Sequence, residues 1–332
     1  MHNFIQCNLK RVATVYFILF AFIVIVVSVL PWWPFYQWLI IPKYILLFGP
    51  RWWLVLLSLL VLIFFPYFSK GKKWLLAILF VGVFNYLDFQ FPPLENYFLP
   101  RIKSDNSIKI INANIGGGAS IYEIQLLIED EEPDILLLQE ANNINSASWG
   151  FSEYRVRCKG GLCIISKLDF EEVGELSRKL IDGWGNFAML YKVNTLQGSF
   201  SLANIHLETP RTVIMGVLHA VWDQSSAKKI ESNRQYQALL ISSWQQSQAR
   251  TIIAGDFNML EDENIYRQYF SAMGNAIDSA GVGFNYTKKT SWHGARIDHL
   301  LFSDGFVLVD VKVIDSLMGD HKPVVSTLYQ IH

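Results

Sequence analysis

Two patterns of hydrophobic placement divide the chain. From Val12 to Leu30 the run VATVYFILFAFIVIVVSVL carries no charge for about 19 residues, long enough to cross the hydrocarbon of a bilayer as a helix. Pro31, Trp32, Trp33 and Pro34 follow it, where a cleaved signal peptide would carry small residues. Further apolar stretches predict spans at 52–68 and 74–90, with Lys70, Lys72 and Lys73 between them. The stretch Phe35 to Phe48 is apolar but short and broken by Pro42 and Lys43, which predicts an interfacial or re-entrant piece. Trp32, Trp33, Trp52 and Trp53 suit the membrane interface. Residues 91–106, with Pro92, Pro93 and Pro100, read as a linker.

Beyond Ser107 short β-rich runs alternate with amphipathic ones. Strands are predicted at Ile108 to Ala113, Asp134 to Gln139, Leu162 to Ser166, Phe187 to Val193, Phe200 to His206, Thr251 to Asp256, Ile297 to Phe302, Phe306 to Ile314 and Val324 to Tyr329. Ile121, Ile124, Leu127 and Ile128 share one helical face, and Ala227 to Trp244 predicts a longer helix. Residues 107–332 therefore form a layered α/β domain preceded by transmembrane helices.

Charge sharpens the division. Seven of the 28 Lys and Arg and two of the 29 acids precede Arg101, so the remainder carries 21 basic against 27 acidic residues, a net −6. That balance speaks against stable binding to long nucleic acid, which rewards a basic face. With three spans, Lys10 and Arg11 share one side with the Lys70 to Lys73 cluster. The positive-inside rule makes that side cytoplasmic and the catalytic domain extracytoplasmic, in a multi-pass protein of a bacterial-type inner membrane. A fourth crossing at Phe35 to Phe48 would reverse the domain's side. Of the three cysteines, Cys158 and Cys163 flank a predicted hairpin turn. They could form a cross-strand disulfide in an oxidising compartment, or remain two reduced core residues.

The chemistry-bearing residues fall where apolar strands end: Asn112 and Asn114, Glu140, His206, Asp256 and Asn258, Asp298, then Asp320 and His321. An acid after a strand is usually a turn residue or cap. Together these offer carboxylates for a hard divalent cation, imidazoles for phosphate oxygens and an Asp to orient one imidazole. His219, His293 and His299 read as structural or surface residues, Arg211 and Arg296 as solvated, and Gly116 to Gly118 as a tight turn.

At these residues the chain resembles the endonuclease/exonuclease/phosphatase superfamily. The matching segments are INANIGG, DILLLQEA, GLCIISK, NIHLE, NRQYQALLISSW, IIAGDFNM, RIDHLLFSD and GDHKPVV, in the family's order. The resemblance implies a four-layer αββα sandwich (DNase I-like), and the membrane-borne arrangement looks like bacterial envelope members. It implies Glu140 as principal Mg²⁺ or Mn²⁺ ligand, with Asn114 and Asp320 supporting. Asp256 would orient or deprotonate the attacking water, Asn258 would bind phosphate or that water, and His206 and His321, the latter held by Asp298, would donate to phosphoryl oxygens. The general base is Asp256 or the His321 and Asp298 pair. Asp256 is preferred, because a His beside a carboxylate gains proton affinity and suits donation. Gly319 stands where the family usually has Ser.

The expected activity is metal-assisted hydrolysis of a phosphoester, lipid- or envelope-associated because the anchor holds the site near headgroups. A membrane-tethered nuclease or nucleotide phosphodiesterase is the enzymatic alternative. A catalytically inactive binding domain is the third, and it predicts a lost site residue where none is missing.

Overall fold

The computed structural model describes residues 2–91, 107–116, 119–142, 144, 150–290, 292–317 and 319–331. The expected linker falls, beyond Phe91, outside the described residues.

Four helices open the chain: α1 (His2–Ser28), α2 (Ile40–Phe48), α3 (Trp53–Ile63) and α4 (Lys70–Tyr86). α1 and α4 run parallel. Lys72 Nζ, in the first turn of α4, donates to Thr14 Oγ1 midway along α1 at 2.8 Å, and Gly82 lies against Val24 and Ser28 toward the end of both helices. A Cβ on Gly82 would come within 2.9 Å of both side chains, so glycine sets this close approach. α3 runs the other way, with Trp53 on Tyr86 at one end and Phe64 on Tyr16 at the other. The outward faces carry Ile18, Phe22 and Ile25 of α1, Leu56, Leu59 and Ile63 of α3, and Ile78 and Val81 of α4. Such a continuous apolar exterior is unfavourable in water and suited to lipid.

Only Asn8–Ser28, among the described helices, is by itself long and apolar enough to cross a membrane. The expected spans at 52–68 and 74–90 are shorter than supposed. Helix α3 has 11 residues and passes into the 3₁₀ turn Phe65–Tyr67, because Pro66 cannot continue the helical ladder. Helix α4 has 17 and begins at the lysine cluster. Residues Gln37–Phe48 and Trp53–Ile63 qualify only as a pair bent by 77°, so the multi-pass arrangement is not carried by helix length.

The strands follow in chain order: β1 (Ser107–Asn114), β2 (Ile135–Gln139), β3 (Arg155–Lys159), β4 (Leu162–Ser166), β5 (Asp169–Ser177), β6 (Asn186–Thr195), β7 (Gly198–His206), β8 (Thr251–Asp256), β9 (Gly274–Asn275), β10 (Lys288–Lys289), β11 (Gly294–Ala295), β12 (Asp298–Phe302), β13 (Phe306–Val313) and β14 (Val324–Gln330). They make two six-stranded sheets, ordered β13-β14-β1-β2-β4-β3 and β5-β6-β7-β8-β12-β9, and the small pair β10-β11. Ile110, Ile135, Leu137, Ile164, Leu202, Ile252 and Leu300 pack between the sheets. The alternate positions Ile111, Leu136, Leu138 and Ile165 face Ile124, Leu127 and Ile128 of α5 (Ile121–Glu131). On the far side Ala203, Ile205 and Ile253 face Ala238 and Ile241 of the long helix Gln224–Gln246. Burial on both faces explains the unbroken ILLL and TIIA runs, and the result is the expected four-layer αββα sandwich.

Local chemistry fixes the helix starts. Ser120 and Glu123 form a reciprocal capping box at α5, and Asp223 accepts from the Ser225 and Ser226 amides before the long helix. Cys158 and Cys163 pair across β3 and β4 and are joined in a disulfide.

The helical bundle is docked on the sandwich through buried charge. Lys43 Nζ reaches Glu231 and donates to Asn264 Oδ1 at 2.9 Å, while Tyr44 OH donates to the other Glu231 oxygen at 2.6 Å. Arg51 pairs with Asp262 at 2.8 Å, and Arg296 binds Asp88 and Glu261 at 2.8 and 2.7 Å. Arg296, expected in solvent, is only 1% exposed. Leu260, Ala295 and Ile297 of the sandwich share an apolar cluster with Leu47, Leu54 and Tyr86 of the bundle.

Candidate active site

Strand direction assembles the site. β1 runs parallel to β2 and β7 parallel to β8, so Asn114, Glu140, His206 and Asp256 emerge at carboxyl ends. β12 and β14 run antiparallel to these neighbours, so Asp298 and the residues just before β14, Asp320 and His321, arrive at the same edge. Register places His206 and Asp298 directly beside Asp256 on either side.

Eight of the nine strand-end residues meet there, while Asn112 stays buried within β1. Glu140, His206, Asp256, Asn258, Asp320 and His321 line one cleft of about 980 Å³. Asn114 lies behind it, its Nδ2 donating to Glu140 Oε1 at 3.1 Å and Asp256 Oδ2 at 2.9 Å. Asp298 holds His321 Nδ1 at 2.9 Å, leaving Nε2 to face Asp256 at 3.8 Å. His206 Nε2 lies 3.7 Å from both Glu140 and Asp256. Asn258 donates one amide hydrogen to Leu207 O and caps Asp256 Oδ1 with its backbone N–H, so its Oδ1 and second hydrogen stay available. Asp320 stands at the rim, half exposed, against Lys288 Nζ.

The backbone is strained here. Glu140 and Asn258 hold φ of 55° and 48°, the left-handed region. Gly255 has φ 142°, and a Cβ there would sit 2.0 Å from Ile205 O, so only glycine lets β8 pass beside β7 and deliver Asp256.

The two imidazoles differ in charge. Burial pushes His206 down to about 4, against the pull of Asp256, with Arg178, His321 and Lys288 lowering it further, so it is neutral near pH 7. Burial also opposes the charged form of His321, but Asp298 and Asp256 outweigh it and hold it up at about 9. Asp256 is raised above the usual carboxylate range by burial and by Asp298.

This donor set fits a hard divalent cation. Among the described residues Asp256, Asp298 and His321 bring ligand atoms within 4.8 Å of one another. Asp298, however, spends its oxygens on His321 Nδ1. The Glu140 face, where carboxylates of Glu140 and Asp256 share one Asn114 amide, keeps more free lone pairs. Two neighbouring carboxylates repel, and a bound cation relieves that repulsion.

Some neighbours gave no signal in the sequence. Arg178 donates to His206 O and lies 3.7 Å from Glu208, its proton affinity lowered by burial. Lys288 rests against the rim of the cleft, Phe48 enters from α2, and helix α6 (Arg211–Leu218) forms one wall. His299 is structural as expected, bonded to Met259 O and the Asn275 amide. His293 holds Phe48 O at 2.8 Å.

A face-to-face pair of sheets between helices, with carboxylates, amides and imidazoles gathered at one strand-end edge, defines the DNase I-like αββα class. Residues 111–321 match the family described as Endonuclease/Exonuclease/phosphatase family, and the chain belongs to it. Members of this family are hydrolases acting on phosphoester bonds. No curated protein sequence matches the chain. Among solved structures it is similar to the 3′ phosphatase NExo from Neisseria bound to a product DNA hairpin, at 18% identity and a TM-score of 0.54, covering 66% of this chain and 98% of that one. It is also similar to a humanised D. rerio TDP2, at 14% identity and TM-score 0.52, covering 68% and 99%. A Bacteroides vulgatus endonuclease/exonuclease/phosphatase gives 17% and 0.50, covering 68% and 99%. At these identities the likeness is one of fold.

Proposed function

We propose that the chain is a membrane-anchored, divalent-metal-dependent phosphoesterase whose substrate is a phosphoester at the bilayer surface. One observation carries this reading: the catalytic edge of the sandwich is the edge docked on an apolar helical bundle, so that Phe48 of α2 and His321 line the same cleft. The lysine cluster that opens α4 lies beside the Lys10 to Thr14 turn of α1, and Asp88 and Arg51, at the opposite end of the bundle, bind the sandwich. With the positive-inside rule this supports a domain outside the cytoplasm, and the Cys158 to Cys163 disulfide supports an oxidising compartment.

Glu140 would hold Mg²⁺ or Mn²⁺, with Asn114 and Asp320 supporting. When bound, the cation supplies Lewis-acid neutralisation of the phosphoryl charge. Asp256, with its raised proton affinity, positions a water and takes its proton as the water oxygen bonds to phosphorus. The P–O bond to the leaving group then breaks, and the leaving oxygen takes a proton from solvent. His321, charged and held by Asp298, donates from Nε2 to a phosphoryl oxygen, and neutral His206 offers one N–H to another. Asn258 orients the water or the phosphate.

A second reading is a membrane-tethered nuclease or nucleotide phosphodiesterase, supported by Arg178, Arg211, Lys288 and Lys289 around the cleft. The test uses the full chain in detergent with Mg²⁺ or Mn²⁺ and a panel of phospholipids, isoprenyl phosphates, plasmid DNA and a chromogenic phosphodiester. Glu140→Ala should lose at least a hundredfold of whichever turnover is seen. DNA cleavage without lipid turnover would replace the first reading with the second, and turnover intact in Glu140→Ala would remove both.

A further inference from the structure

Beyond the catalytic cluster the cleft changes character. Its far wall is made by Phe48 of α2, Ile214, Met215 and Leu218 of α6, and the side chains of Trp184 and Trp292. Trp184 and Trp292 are each 77% exposed and Leu218 73%. Large apolar side chains standing together in solvent beside a polar site mark a surface that something apolar covers. The position of this wall says what. Trp52, at the start of α3, donates its indole N–H to Trp292 O, and Gln224, just beyond α6, binds Gln37 O. The wall therefore lies level with Trp32, Tyr36, Trp38 and Trp52, the exposed aromatic girdle of the bundle. One end of the cleft meets the bilayer interface, and the other reaches Glu140 and His321.

We infer that Phe48, Ile214, Met215, Leu218, Trp184 and Trp292 form a subsite for the hydrocarbon chain of an amphiphilic phosphoester, which slides from the bilayer with its phosphate toward the catalytic cluster. This rests on the phosphoesterase reading and adds the substrate class. The bundle is then part of the substrate site, since Phe48 belongs to it. A chain leaving the phosphate passes along α6 and Trp292 toward the bilayer.

The test compares alkyl p-nitrophenyl phosphate diesters with methyl, hexyl and dodecyl chains, below their micelle concentrations, on the full chain in detergent. Each methylene buried in an apolar subsite strengthens binding by roughly three- to fourfold. Partial burial of a dodecyl chain should therefore raise kcat/KM over methyl at least a hundredfold. Leu218→Gln and Trp292→Gln, both at exposed positions, should each cut the dodecyl-to-methyl ratio at least tenfold. Leu196→Gln, in the distant β6 to β7 turn, should leave the ratio alone. A ratio near one in the wild type, or one unmoved by both cleft variants, overturns the subsite and leaves the phosphoesterase reading standing. If no diester is cleaved, the phosphoesterase reading rests on the wider panel above, and the subsite is judged by titration calorimetry with dodecyl phosphate. Binding weakened tenfold by both cleft variants then supports it, and unchanged or absent binding overturns it.

Discussion

The bundle and the sandwich meet through a charge network whose worth can be measured at Lys43. Lys43 is 2% exposed, and its ammonium lies against Glu231, with Asn264 Oδ1 at 2.9 Å and Glu263 at 3.8 Å. Lys43→Met keeps most of the stem volume but leaves the buried Glu231 carboxylate with the Tyr44 hydroxyl and, at 4.0 Å, an Arg234 guanidinium already engaged by Glu263. Breaking a buried pair from one side costs about 3 to 5 kcal/mol, chiefly the penalty of the abandoned charge. At roughly 2 to 4 °C per kcal/mol for a unit of this size, Tm should fall by about 6 to 20 °C. Adding Glu231→Gln removes the orphan charge while keeping an acceptor for Tyr44, and should recover at least half of the loss. The assay is thermal unfolding of the full chain in detergent for the wild type, both single variants and the double variant. A drop below about 2 °C for Lys43→Met, or a double variant equal to the sum of the singles, would refute the claim that α2 is docked on the sandwich by this pair.

Two further outcomes follow from buried geometry. Gly255→Ala should destabilise the fold by at least about 2 kcal/mol and lower activity together with Tm, since the added Cβ meets Ile205 O at 2.0 Å and displaces Asp256; unchanged urea unfolding would contradict this. His299 is held neutral, pushed down to about 3 by burial and by Arg296. Its folded value lies below the unfolded one of about 6.5, so its contribution is complete above that pH and is lost as pH falls toward 3. The urea midpoint of the wild type should decline over that window more steeply than that of His299→Gln, by up to about 1.4 kcal/mol per pH unit, and parallel curves would exclude it.

Much of the site could be read from the chain because its residues sit where short buried strands stop. An unbroken apolar run such as ILLL or TIIA marks a strand buried on both faces, and the first polar residue after it must lie at a sheet edge. Glu140 and Asp256 are legible for that reason. Strand β5 escaped, because at the margin of its sheet it alternates charged and apolar residues and exposes Glu171 and Val173. Helix α6 escaped because its apolar face stays partly in solvent, so its eight residues carry no strong period.

The order of strands and helices, the capped helix starts, the glycine and asparagine turns and the set of polar residues at strand ends were determined by local pattern, since each reflects burial or hydrogen bonding within a few residues. Tertiary structure alone decided which of those ends converge. Register sets His206 and Asp298 beside Asp256 across separations of 50 and 42 residues. It also decided the burial of Arg296 and Arg234, where each guanidinium finds carboxylates from distant segments, and the entry of Phe48 from the bundle into the cleft. A charged side chain carries no mark of whether a partner waits elsewhere in the chain, and burial of such a group is settled only when the fold brings that partner within reach.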